Sequence, residues 1–160
     1  MDALGLLLKL SHVVLAILLV GGILGRWILL SRAERTDDVE HAHLLADAAA
    51  PFERIAQLSG PLLLAFGLAT AWAQDYPWLG LTTGWMAVSL LLVIPILLMI
   101  PLVFIPRGRI FESAMAEARA QGRVTDDLRA AWGDPAVAFA RRYEGAAIGI
   151  IVALMVLKPF

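Results

Sequence analysis

The sequence predicts an all-α integral membrane protein, a four-helix bundle with short amphipathic cytoplasmic helices forming one transmembrane domain over residues 1–160. Three observations predict it: composition, four apolar runs, and arginines gathered in alternate connecting segments. Of the 160 residues, 60 % are hydrophobic and only 17 % are charged. A soluble domain is about half apolar and about a quarter charged, so a 17.3 kDa chain with mean hydropathy +0.78 has more apolar surface than one globule can hide. That excludes a soluble enzyme and a disordered tail. A formal net charge of −1 offers no basic face to a phosphate backbone, which excludes nucleic acid as a partner. The absence of cysteine excludes disulfides, thiolate zinc, iron–sulfur clusters and covalently attached c-type haem.

The first span runs over about 4–30, interrupted only by Lys9, Ser11, His12 and Arg26. At about 1.5 Å per residue it reaches about 40 Å and crosses a hydrocarbon core of about 30 Å with tilt. It is expected to be a retained helix and not a signal peptide, because Met1-Asp2 carries no basic side chain and the apolar run is too long. The second span, about 51–72, opens on Pro51, a residue suited to a first helical turn. The third, about 85–105, contains Pro95 and Pro101 and stops at Pro106-Arg107-Gly108. The fourth, about 143–158, follows an Asp134-Pro135 start signal and the polar run Arg141-Arg142-Tyr143-Glu144. Its strictly apolar stretch is short, and counting from Tyr143 to Phe160 gives about 27 Å of helix, enough for a thinner bilayer with snorkelling ends.

Charge sets the expected orientation. The segment at 31–50 carries Arg32 and Arg35, and the segment at 106–142 carries seven arginines; the turn at 74–83 has no lysine or arginine. By the positive-inside rule both long segments are cytoplasmic and both termini are periplasmic. Trp72, Tyr76, Trp78 and Trp85 then make an outer aromatic belt. Thr36-Asp37-Asp38 reads as a helix start, Gly122 as the end of a helix over 110–121, and Thr125-Asp126-Asp127 as the start of a third short helix, all expected to lie on the membrane surface. Sparse lysine with abundant alanine, arginine and leucine suits a bacterial inner-membrane protein.

Polar residues inside the apolar spans ask for a reason. His12 is the only histidine in a span, on a stripe with Gly5, Lys9 and Ala16. Its imidazole suits haem-iron ligation, proton relay or a hydrogen bond to a neighbouring helix. Lys9 and Lys158 are the only lysines; they either flank an anionic group or snorkel to water. Arg26, Glu53, Arg54, Arg142 and Glu144 come from three spans and suit a salt-bridge layer, with Arg54 and Gln57 able to hold a headgroup or a propionate. Pro61, Pro95 and Pro101 free the carbonyls of Gln57, Leu91 and Leu97. Gly21-x-x-x-Gly25 and Gly145-x-x-x-Gly149 are close-packing faces, toward other helices or a second copy. His41-Ala42-His43 points its rings to opposite helix faces, which disfavours chelation.

The run Lys9-Leu10-Ser11-His12, followed by a Gly-Gly pair and Arg26, resembles the CopD-like group of four-helix bacterial membrane proteins. That group holds the HemJ-type protoporphyrinogen oxidases, the CopD-type copper-resistance proteins and a four-span family known only as a domain of unknown function, the nearest of the three. Gly60-Pro61 with Phe66-Gly67-Leu68 is similar to the second HemJ-type helix, and Arg142-Tyr143-Glu144 with Met155 to Phe160 is similar to the last. The resemblance implies haem b or a porphyrin within the bundle in a redox or porphyrin-handling role, with His12 as metal ligand and Lys9, Lys158 and Arg54 on the propionates. The HemJ type has further membrane histidines, and spans two to four here have none. The alternative expectation is a non-catalytic integral subunit or assembly factor, packed through its glycine faces in a homodimer or a larger membrane complex.

Overall fold

The computed structural model describes residues 3–159; Met1, Asp2 and Phe160, on which two of the expectations rest, lie outside the described residues. The architecture is all-α. Helix α1, Ala3–Ala33, is followed by α2, Val39–Ala73, as an antiparallel hairpin with the most extensive helix pairing in the molecule. A short turn at Pro77–Gly80 leads to α3, Gly84–Met99, which passes through a π-helical turn, Ile100–Phe104, into α4, Ile105–Gln121. Helix α5 is Asp126–Trp132 and α6 is Pro135–Leu157, which returns along α3. Among the described residues three rods are long and apolar enough to cross a membrane: α1, α2 and the continuous Gly84–Gln121.

Two helices run past the points expected to bound them, at Pro51 and at Pro106-Arg107-Gly108. Pro51 does not open a helix but sits inside α2, which runs from its Asp38 cap through both Pro51 and Pro61. The Asp38 carboxylate accepts from the Glu40 and His41 amides at 2.9 and 3.2 Å. Packing on both sides of Pro51 carries the helix across it, since Ala42 and Ala49 are buried before it and Ala56 and Gly60 after it. The helix of the third span likewise continues past Pro106-Arg107-Gly108 into α4. Pro101 has no N–H to donate and crowds the carbonyl a turn earlier, and the chain answers by widening: the Ile105 amide bonds to Ile100, five residues back. That wide turn buries Phe104.

The end signals after the third span hold. Gly122 closes α4 with φ 66°, the left-handed conformation in which a missing Cβ is an advantage. The Thr125 hydroxyl accepts from Leu128 N at 3.2 Å, and the Asp134 carboxylate accepts from Ala136 N and Val137 N at 2.9 and 3.1 Å. The segments expected to lie on the membrane surface fold against each other. Val39 and Ala42 of α2, Ala114, Met115 and Ala118 of α4, and Leu128 of α5 form one buried cluster, flanked by Phe111 and Trp132. Each short helix carries an apolar face too small to be stable alone, and three such faces close a core.

Within the α1/α2 hairpin the close contact is one residue out of the expected register. A Cβ on Gly22 would lie 2.8 Å from the Phe52 carbonyl oxygen, whereas Gly21 has nothing within 4 Å. Gly25 faces the Phe52 ring and Gly145 faces Trp27, while Gly149 is open. The expected aromatic belt divides too. Trp72 and Trp78 point outward, but Trp85 is buried and meets Tyr76 edge to face at 6.3 Å.

Candidate functional site

His12 lies on α1 against α2. It donates Nδ1–H to the Leu63 carbonyl at 3.1 Å, which leaves Nε2 as the acceptor. The Cε1 edge of the ring faces Gly67, where a Cβ would come within 2.9 Å of Cε1 and 3.1 Å of Nδ1, so a larger residue there would displace the imidazole. Lys158 closes α6 in a left-handed conformation with its ammonium 5.4 Å from the centre of the Trp85 ring, a cation–π contact. Lys9 is exposed on α1. Arg54 is exposed and stands nine residues along α2 from Leu63, about 13 Å by helical rise. Thus His12 and Lys158 belong to the aromatic end and Arg54 to the opposite one. For a haem these residues supply one oriented imidazole. His41 and His43 lie on the Arg54 side of α2, so a second imidazole has no candidate in the spans.

The salt-bridge layer is present with a changed membership. Arg26, only 5 % exposed, binds Glu144 at 2.7 Å, and its guanidinium stands 4.7 Å from the centre of the Phe104 ring that the π turn buries. Gln57 donates to Glu53 at 3.1 Å along α2. Arg54 and Arg142 remain exposed, and Arg141 takes the inner place near Arg26, Glu53 and Glu144. The helical period accounts for the exchange: the buried stripe of α6 is Ala140, Glu144 and Ala147, and Arg141 borders it while Arg142 is turned a further 100° or so away.

Below this layer opens a chamber of about 620 Å³, walled by α1, α2, the π turn, α4, α5 and α6. Six arginines line it: Arg26, Arg54, Arg107, Arg109, Arg119 and Arg141. Its carboxylates are Asp47, Glu53 and Glu112, so six positive charges face three negative ones, an excess of three. Three carboxylates outside the lining match that excess in number: Glu144 on Arg26, Asp134 on Arg107 at 3.0 Å, and Glu40 on Arg119 in a two-pronged contact at 3.2 Å. Arg54, Arg109 and Arg141 make no ion pair among the described residues. The pKa of Arg141 is lowered, chiefly by burial and then by the charge of Arg26, against the opposing pull of Glu34, Glu144 and Glu53.

Three lining donors are buried without an acceptor among the described residues: Arg26 Nε, Arg141 Nε and Trp132 Nε1. A buried donor left unsatisfied costs about 1–3 kcal/mol, and such groups are uncommon in folded proteins. Here three come from α1, α5 and α6 and border one space. Sequence reading registered the 107–141 arginines only as an orientation signal; that they converge follows from the folding of α4 and α5 back against α2. Trp132 gave no signal of its own. It is held in place by Phe111, with ring centres 6.2 Å apart.

No curated protein and no solved structure matches this chain. A family described as a predicted integral membrane protein, DUF2269, matches residues 6–159. That match extends from the second turn of α1 to beyond the end of α6, and the chain belongs to this family of integral membrane proteins.

Proposed function

We propose that this protein is a four-span bacterial inner-membrane protein that binds an anionic, phosphate- or carboxylate-bearing ligand in the chamber at its cytoplasmic end. The observation that carries the reading is the set of three buried donors without acceptors around a chamber rich in arginine. An oxyanion accepts from several N–H groups at once, and guanidinium groups offer donors in the planar geometry it prefers. The test is thermal unfolding of detergent-purified protein with inorganic pyrophosphate at constant ionic strength. A rise in Tm that is lost in the Arg54→Gln, Arg109→Gln double variant supports the reading; no rise beyond that of matched chloride rejects it.

The orientation follows the positive-inside rule, with α6 as the fourth crossing. The chain has no cysteine, so single substitutions report cleanly. A Thr82→Cys and a Pro159→Cys variant label from outside intact cells, and Ser113→Cys only after permeabilisation. Labelling of Pro159→Cys only from inside would remove the fourth crossing.

A second reading, haem b or a porphyrin at His12 in keeping with the CopD-like resemblance, is favoured by the Nδ1–H bond to Leu63. Histidines that bind metals are commonly oriented by such a bond to a carbonyl, which leaves Nε2 for the metal. Such a group would supply redox or porphyrin chemistry, and the chain's part is to orient the imidazole against Gly67. A Soret band that disappears in His12→Ala supports it, and its absence in every redox state rejects it.

A further inference from the structure

A second cavity adjoins the chamber at Arg26. Arg26, Gln57 and Phe104 line the chamber, and the same three residues line this smaller cavity of about 20 Å³ deeper in the bundle. The character of the wall changes there. Beyond the Arg26–Glu144 pair the lining is apolar, from Leu19 on α1, Ala56 and Gly60 on α2, Val93 and Leu97 on α3, and Ile100 at the π turn. This narrow slot lies where the α1/α2 hairpin meets α3. The two helix pairs touch thinly at that seam, and a Cβ on Gly60 would come within 3.2 Å of Leu97 and 3.9 Å of Leu19. Glycine there keeps the slot from closing. Two adjoining cavities, one lined by arginines and unpaired donors and one apolar, therefore meet at shared walls, with an unpartnered donor of Arg26 between them.

A soluble anion would use the first compartment and ignore the second. A charged group attached to hydrocarbon uses both, and reaches them from the bilayer in which the helices stand. We infer that the occupant is an anionic lipid, its phosphate ester held by Arg26, Arg141 and Trp132 and the start of one hydrocarbon chain parting the α2/α3 seam beside Gly60. This rests on the chamber being an anion site and adds the class of ligand. The Arg26–Glu144 pair suits the junction, because Glu144 holds the guanidinium through its terminal nitrogen and leaves Nε for a second acceptor.

The experiment has two arms on the full chain in a maltoside detergent. One measures retention of phosphatidylglycerol against phosphatidylcholine by native mass spectrometry; the other measures stabilisation by inorganic pyrophosphate. The expected result is at least tenfold preferential retention of phosphatidylglycerol. Gly60→Leu and, separately, Val93→Phe, which fill the slot, should reduce that retention about tenfold and leave the pyrophosphate response unchanged. Arg141→Gln should reduce both. Pyrophosphate stabilisation without preferential lipid retention, or retention indifferent to the slot variants, overturns the lipid inference while the anion site stands. Failure of both ligands removes both. If the slot variants do not fold, the wild-type comparison of the two lipids decides alone.

Discussion

The two ends of this molecule bury apolar residues in different ways. At the arginine-rich end, Ala42, Ala118 and Leu128 are wholly excluded from solvent, in a cluster to which α2, α4 and α5 all contribute. Between α1 and α2 the buried cluster shrinks to Leu19, Ile23 and Ala56. Large side chains on the same rods face outward, among them Ile17 at 66 % and Leu58 at 69 % exposure. Water drives the first arrangement, because apolar surface removed from it gains about 25 cal/mol per Å². Lipid solvates the second, and leucine gains little there by turning inward. What joins the rods is close backbone approach and a few polar bonds: Gly22 on Phe52, His12 to Leu63, Tyr143 to Leu92 at 3.2 Å, and Arg26 to Glu144.

This contrast is most directly broken at Glu144. Removing it leaves the Arg26 guanidinium buried and unpaired, a loss of about 3–5 kcal/mol where a paired charge is stranded. Glu144→Ala should therefore unfold at much lower denaturant in mixed micelles. The double variant Arg26→Met, Glu144→Leu should recover most of the loss, because two apolar groups of similar volume leave nothing stranded. A double variant as unstable as the single one would mean that the pair contributes through some further contact. Next in size is Leu128→Ala in the water-driven core. It should cost about 3 kcal/mol, the usual range for a fully buried leucine, whereas the lipid-facing Leu58→Ala should barely move the midpoint.

The same division explains what could be read from the sequence. The apolar rods were legible because lipid demands a nearly unbroken run, and the helix α1, Ala3–Ala33, covers the first such run. Their joints were not. Pro51 and the Pro106-Arg107-Gly108 run carry start and stop meanings learned from helices in water, and here the chain continues through both. Caps at the polar end follow the ordinary rules, so Thr125, Asp134 and Gly122 were all legible. The chamber was hidden because its walls come from segments that look independent along the chain. The Ala140, Glu144, Ala147 stripe distinguishes Arg141 from Arg142, whereas Trp132 and Arg109 acquire meaning only once α4 and α5 are folded.

A smaller effect sharpens the contrast within α1. Neighbouring glycines make an internal control, since both gain helix propensity of about 0.5–1 kcal/mol on substitution by alanine. At Gly21 nothing opposes the new methyl, so Gly21→Ala should be neutral or slightly stabilising. At Gly22 the methyl would press on the Phe52 carbonyl and on Ala56, both part of α2 itself, so the helices must separate. Gly22→Ala should lose about 1–3 kcal/mol, as over-packed contacts do. Equal effects at the two positions, measured by unfolding in the same detergent, would place the α1/α2 contact on another face.

The smallest expected difference concerns two threonine hydroxyls, one at each end. Thr125 caps α5 by accepting from the Leu128 amide, a donor with no helical partner of its own. Its loss in Thr125→Ala should cost about 1 kcal/mol, the typical value for a cap. Thr70 donates at 2.6 Å to the Phe66 carbonyl, four residues back in α2. That carbonyl already lies within the helical bonding pattern, so the hydroxyl satisfies only itself. Thr70→Val replaces it with a methyl of the same shape and should be close to neutral, because no donor or acceptor is left stranded. A Thr70→Val variant weaker than Thr125→Ala would show instead that this hydroxyl bonds across helices, and that polar contacts join the rods at the aromatic end as they do at Glu144.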